Sequence, residues 1–332
     1  MSFLSLASNP NLANPAIIKI ADEAAAQAVA KELQFASFPM KDYQIENINA
    51  DVVSSLSGAG AGSLTVDGQV FADEVLYDGY NVTIASRLYT KKLEVGMNWM
   101  YQMERKSKAS VMKFTDGVKA NLQGLFLNKE QDFAKLFYLG QGTTFFTGGD
   151  GLALISASHT VKKPGASVQS NLVTVGAVSN PVLAPESLKQ AVYQLDRMRD
   201  NADVLLGGAM RPCLVVARKN AEFAYQLVES MYGPATSNLG LSQVSREMMA
   251  RLNKKLEVKV LDHIPDAYAD YWFVVDLDRM SSQVYAAKAW EPKLHPELTT
   301  LNASTVLLFS TQFGFTPVDW RWIVGSTGAN AL

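Results

Sequence analysis

Three stretches carry residue types that could do chemistry. In "GGDGLALISASHT" (Gly148 to Thr160), Asp150 and His159 stand nine residues apart, and a carboxylate beside an imidazole is the minimum for proton transfer. Nothing but their closeness in sequence pairs them, and a turn followed by a short strand accounts for the same residues. In "SLSGAGAGSLTVDG", Gly58, Gly60 and Gly62 resemble a phosphate-wrapping loop at first sight. A dinucleotide loop follows a strand and opens a helix, whose first N–H groups hold the phosphates. These glycines lead instead into strand-like sequence with an Asp67-Gly68 turn, and no G-x-x-x-x-G-K-[ST] occurs, so a bendable loop is the better reading. The aromatic pair of "DWRWIV", Trp320 and Trp322, alternates with Arg321, as in a strand with one buried face.

Other chemistries find less support. His159, His263 and His295 are scattered, none lies in an H-E-x-x-H pattern, and the single cysteine, Cys213, has no partner for a disulfide or a local zinc site. Cys213 sits in "PCLVVA" and reads as a small buried apolar residue. No G-x-S-x-G elbow marks a nucleophile. The expectation is a protein without catalytic, cofactor-binding or metal-ligating residues, and not an enzyme.

The elements that would position these residues follow from composition and periodicity. The 332 residues are 48% hydrophobic and 19% charged, with a net charge of −2. That is enough for one large or two medium folded domains, and it offers no basic excess for gripping nucleic acid. No apolar run approaches the ~18 residues of a membrane span, and the first residues lack the pattern of a secretory leader. A chain made in cytosol and free of the membrane is expected.

Residues 1 to 21 read as extended, with Asn9-Pro10 and Asn14-Pro15, and Asp22 to Gln34 as a short helix. From Tyr43 to Tyr89 the pattern is β, with Asp67-Gly68 as a hairpin turn. After Asp78-Gly79, Tyr80, Val82 and Ile84 alternate with Asn81, Thr83 and Ala85 as a half-buried strand. Few large aliphatics occur there, so the segment reads as a projecting β-arm.

Val111, Phe114, Val118, Leu122, Leu125, Phe133 and Leu136 share one face of a long helix of about 40 Å, with Lys113, Asp116, Lys119, Asn121, Lys129 and Asp132 mainly off it. Gly117 and Gly124 each cost that helix roughly 1 kcal/mol, so tertiary packing must hold it. From Val178 to Trp290, strands and helices alternate as in an α/β unit: a helix begins at Pro185, "RPCLVVAR", "LEVKVLDHI" and "YWFVVDL" are strands, and Asn220 caps a helix with Phe223, Leu227 and Met231 on one face. The tail returns to β.

In order, these segments resemble the major capsid protein of tailed bacteriophages. The resemblance rests on the D-G-x-x-L-[FI]-S-x-x-H pattern of "GGDGLALISASHT" after a long helix, on "YWFVVDL", and on the D-W-R ending "DWRWIVGSTG". It implies an α+β capsid fold: an N-arm (1–44), an extended β-hairpin E-loop (45–90), a P domain (91–178) whose spine helix covers about 109–138, an α/β A domain (179–291), and a return to the P domain (292–332). It further implies self-assembly into hexamers and pentamers of an icosahedral shell around double-stranded DNA, touched non-specifically. Scaffolding and portal proteins and a decoration protein are the implied partners, and a virion assembled in host cytoplasm the implied location. Inter-subunit contact is expected at Gly58, Gly60, Gly62, Asp67, Gly68, Asp78 and Gly79. No Lys lies between Asp51 and Arg87, which argues against the covalent Lys–Asn crosslink of some relatives, although Lys41, Lys91 and Lys92 flank the segment. An encapsulin-type compartment shell, which shares the fold, and a soluble α/β enzyme are the alternatives.

Overall fold

Apolar runs four to six residues long, bounded by turn residues, become strands buried on both faces. In the computed structural model, which describes residues 34–45, 51–56, 78–96, 102, 108–208, 211–229, 256–299 and 304–331, every residue of β7 (Pro212–Ala217) and β9 (Trp272–Asp276) is buried. The two pair antiparallel at the centre of a sheet ordered β12-β9-β7-β8, with β8 (Glu257–Leu261) parallel to β7 and β12 (Ile323–Ser326) antiparallel to β9. Continuous apolar sequence is what a strand covered on both sides requires.

Helix α2 (Pro185–Asp196) starts on Pro185, and the Ser187 hydroxyl accepts the Ala184 N–H at 2.9 Å; Leu188, Ala191, Val192 and Leu195 are its buried face. Helix α3 (Ala221–Glu229) buries Ala224, Leu227 and Val228 and leaves Phe223 exposed. Of the expected face, Leu227 is buried and Phe223 is not; a 3-10 turn over Arg218–Asn220 precedes the helix. Asn220 spends its side-chain amide on Ala269 O.

A second sheet, ordered β1-β10-β11-β4, is built on the long hairpin of β10 (Val284–Thr299) and β11 (Ser304–Pro317). Strand β1 (Lys41–Gln44) pairs parallel with the start of β10, and β4 (Arg87–Gly96) pairs antiparallel with β11 over ten unbroken positions. Helix α1 (Lys108–Tyr138), roughly 46 Å long, packs along β4 and β11. Its Phe114, Val118, Leu122, Leu125, Phe133 and Leu136 are buried, as the periodicity demands.

Gly117 and Gly124 face β4. A Cβ at Gly117 would lie 3.5 Å from the Leu93 methyls, and the Lys91 side chain crosses the helix at Gly124. Only the flexible end of Lys91 obstructs a Cβ at Gly124, so Gly124→Ala should keep the fold and raise the midpoint of denaturation, by up to about 1 kcal/mol from helix propensity. A loss of that size in a urea titration would show that the helix requires glycine there.

The helix stripe was incomplete at one end. Lys129, Glu130 and Asp132 are buried too, while Leu127 and Gln131 of the same turns stay exposed. Lys129 Nζ reaches Glu291 at 2.6 Å, Glu130 accepts the Phe35 N–H, and Asp132 accepts from Lys135 at 2.7 Å and from the Tyr89 hydroxyl. Burial first, then the hydrogen bond to Asp132, push the Tyr89 phenol up to about 12, so it remains a donor. Aromatic contacts of Phe133 and Phe137 with Phe38, Phe315, Phe273 and Trp322 join α1 to both sheets in one core.

Strands β2 (Asp51–Leu56) and β3 (Asp78–Ile84) form a separate antiparallel pair, and β4 leaves it through the two-residue joint Ala85-Ser86. Tyr80, Val82 and Ile84 are buried and Asn81, Thr83 and Ala85 exposed or half-buried, the alternation expected of a strand with one covered face. Two-residue strands β5 (Thr174–Val175) and β6 (Val178–Ser179), a 3-10 turn (Asp266–Tyr268) and the short helix α4 (Leu277–Gln283) complete the elements among the described residues. The proposed helix of Asp22 to Gln34 lies outside the described residues except Gln34, which opens a 3-10 turn. No helix among the described residues is long and apolar enough to cross a membrane.

Candidate functional site

The stretches "GGDGLALISASHT", "DWRW" and "YWFVVDL" meet in space. Asp150 and His159 do pair: Nδ1 of the ring donates to Asp150 Oδ2 at 2.6 Å, and each side chain is 1% exposed. His159 Nε2 lies 3.1 Å from Asn171 Oδ1. The Asn171 amide is fixed, since its Nδ2 donates to Leu154 O at 2.8 Å while Oδ1 accepts the Ser156 N–H at 2.7 Å. Each ring nitrogen thus faces a side-chain oxygen, Asp150 Oδ2 on one side and Asn171 Oδ1 on the other.

Trp320 stacks flat on that ring, with centroids 4.1 Å apart and planes at 7°, and the Arg321 guanidinium stands 4.7 Å from the Trp320 ring centre. The residues of "DWRW" do not form a strand with one exposed face. They make a turn before β12 in which all four are buried. Arg321, 2% exposed, is placed inside by its partners: Nη1 on Asp319 at 2.6 Å, Nη2 on Asn201 Oδ1 at 2.8 Å, and Nε on Arg199 O at 2.6 Å. Alternation alone missed this, because Asn201 and Arg199 are about 120 residues away in sequence.

The third stretch joins through Asp276, the N-cap of α4. Its carboxylate accepts the Asp278 and Arg211 N–H groups, each at 3.2 Å, and holds Arg279 Nε at 3.2 Å. Arg279 in turn donates to Leu195 O, Gly207 O and Arg321 O. Burial lowers the Arg279 pKa against the pull of Asp276. The cluster thus ties the loop after α1, helix α2 and the C-terminal strand together.

The arrangement cannot turn over a substrate at His159. One ring face is covered by Trp320, both nitrogens are occupied, and the neighbouring void holds only about 10 Å³. What it does is hold. Burial drives the Asp150 carboxyl up, but the His159 hydrogen bond and charge and the Leu152 N–H outweigh it, so its pKa is lowered below 3.8. A lowered folded-state pKa adds stability that is fully present above the unfolded value and lost as pH falls through the folded one. Urea midpoints should therefore drop below about pH 4 more steeply in the natural chain than in Asp150→Asn, which should also be weaker at pH 7. Identical slopes would remove Asp150 from the account.

The same loop roots the β2–β3 arm. A Cβ on Gly149 would fall 2.3 Å from Tyr80 Cβ, and one on Gly314 would fall 2.1 Å from Ala85 O, so both glycines permit close backbone approach. The Tyr80 hydroxyl donates to Thr160 O, and Lys162 Nζ donates to Gly79 O at 2.8 Å. Of the residues expected at subunit contacts, Asp78 opens β3 and Gly79 is buried at this root. Gly58, Gly60, Gly62, Asp67 and Gly68 lie outside the described residues. A cleft of about 340 Å³ beside the root is lined by Asn81, Thr83, Arg87, Asp132, Phe145 and Gly314, among others. Cys213 is buried and its thiol is pushed up to about 12 by burial, as befits a core residue. Among the described residues no group of three His, Cys, Asp or Glu side chains is placed to hold a metal.

The sequence matches no protein-family model and no curated protein. Solved structures do match. The capsid of Ralstonia phage GP4 aligns with a TM-score of 0.54 at 11% identity, over 89% of this chain and 90% of that one. The capsid of Myoviridae phage XM1 aligns at 0.48 and 13% identity over 90% and 92%, and the virus-like particle from Pyrococcus furiosus at 0.46 and 13% over 93% and 98%. At 11% identity what is shared with the GP4 capsid is the fold. The chain has the α+β fold of a tailed-phage capsid subunit.

Proposed function

We propose that this chain is a major capsid protein: a structural subunit that assembles with itself into hexamers and pentamers of an icosahedral shell enclosing double-stranded DNA. The observation that carries the reading is the match to the GP4 capsid over nine tenths of both chains. In this reading residues 1–44 are the N-arm, 45–90 the E-loop, 91–178 and 292–332 the P domain with α1 as its spine, and 179–291 the A domain. Scaffolding, portal and decoration proteins are its partners in a virion assembled in host cytoplasm. The arm, clamped at its root and paired chiefly with itself, suits a contact whose other half is another subunit. Many modest contacts of this kind, repeated around closed rings, stabilise a shell that no single contact could.

Velocity sedimentation of the expressed full chain tests this. Particles far heavier than the 36.2 kDa subunit, protecting DNA from nuclease when recovered from a productive host, support it. Closed particles holding a protein cargo and no DNA point to the compartment-shell alternative. A protein that sediments as monomer or dimer under all conditions overturns both.

A further inference from the structure

The cleft of about 340 Å³ beside the arm's root has no part in the Asp150–His159 cluster. Strand β3 contributes Asn81 and Thr83 to its wall, the loop after α1 contributes Phe145 and Phe146, and Arg87 and Asp132 supply its charge. Arm and body thus each form part of one cleft, across a joint that only Ala85 and Ser86 span.

Phe145 is the centre of that charge. The Arg87 guanidinium stands 4.3 Å from its ring centre, and Lys135 Nζ stands 5.8 Å from it. Against these two cations stands one buried carboxylate, Asp132, and both its oxygens are engaged: Oδ1 accepts from Lys135 at 2.7 Å and Oδ2 accepts the Tyr89 hydroxyl. Arg87 Nη1 lies 3.9 Å from Asp132 Oδ2, beyond hydrogen-bond length. Two cations and one carboxylate leave a surplus positive charge at the cleft. Arg87 also touches the Tyr89 hydroxyl, but a guanidinium carries more N–H groups than that contact uses, and its fork matches a planar carboxylate.

The lining sets the requirements on a ligand. Arg87 calls for an anionic group, and Phe145 and Phe146 call for an apolar body beside it. The volume stands at the lower end of ligand clefts, which run from ~300 to 1,000 Å³, and so suits a small molecule better than a strand or helix of another protein.

We propose that this cleft is a binding site for a small amphipathic carboxylic acid, with an aromatic acid the best fit, and that the bound acid ties the arm's root to the body. Its carboxylate pairs with Arg87 and its ring lies against the phenylalanines. Binding is a property of the single subunit, so the proposal goes beyond the capsid reading and does not rest on it.

The probes are para-fluorobenzoate and its uncharged analogue para-fluorobenzyl alcohol, titrated into the full chain and followed by fluorine NMR. The acid should bind saturably and about tenfold or more tighter than the alcohol, the difference one hydrogen bond to a charged group makes. Arg87→Met should erase that preference. Thr83→Trp, at an exposed position of β3 that lines the cleft, should fill it and abolish binding of both probes with the melting temperature unchanged. With the acid at saturation, protease cleavage within β2 and β3 should slow severalfold, because the ligand favours the closed root.

No saturable binding, equal affinity for acid and alcohol, or undiminished binding in either variant overturns the site. Binding that leaves cleavage unchanged overturns the tie between arm and body. The comparison of acid with alcohol uses the unaltered chain and needs neither variant to fold. Whether shells form bears on the capsid reading alone.

Discussion

Arg321→Ala should destabilise the subunit by about 3–5 kcal/mol, the range for breaking a buried ion pair by removing one partner. The guanidinium is 2% exposed and holds Asp319, Asn201 and Arg199 O together, so its loss strands a buried carboxylate and two buried oxygens. It also uncovers Trp320, and through it the Asp150–His159 pair. Urea denaturation of the subunit, followed by tryptophan fluorescence, reads the loss. Asp319→Asn combined with Arg321→Met removes both charges while keeping much of the volume, and it should cost less than Arg321→Ala alone. The reverse order would mean that the arginine acts by packing and not by satisfying charge.

Gly314→Ala should be nearly as damaging, at about 3 kcal/mol, the upper end for forcing one methyl into a closed space. The added carbon would meet Ala85 O at 2.1 Å, with Ala85 C and Ser86 Cα close behind, and all three are backbone atoms of the joint between β3 and β4. None can rotate away as the end of Lys91 can at Gly124. The gain from a stiffer unfolded chain, under about 1 kcal/mol, is too small to offset it. Thermal unfolding measures the cost, and limited proteolysis should show earlier cleavage within residues 51–84 as the root loosens. A variant that melts like the natural chain would mean that β11 and the joint separate freely.

These positions show where sequence reading succeeds and where it stops. Phe114, Val118 and Leu122 could be placed on one helix face because neighbours in sequence define that face. "CLVVA" and "WFVVD" read as strands because full burial leaves no room for polar residues. The buried state of Lys129, Asp132 and Arg321 was hidden, since each is paid for by partners far along the chain, such as Glu291, Tyr89 and Asn201. Asp150 and His159 were legible as neighbours. That Trp320 seals them could not be read, because the two segments lie about 160 residues apart. Gly117 and Gly124 were legible as a cost to the helix, while the close approach of β4 that explains them belongs to the folded structure.

The clamped arm, helix α1 and the sealed Asp–His–Trp–Arg cluster have one common use in this account: they make a unit that can be repeated. Electron microscopy of the purified, assembled protein tests this most directly. The account predicts closed shells of uniform diameter, tens of nanometres across, whose reconstruction shows fivefold and sixfold rings of this chain with the arm of each copy lying on its neighbour. Separate monomers or dimers, or rings in which every arm stays on its own subunit, would contradict it.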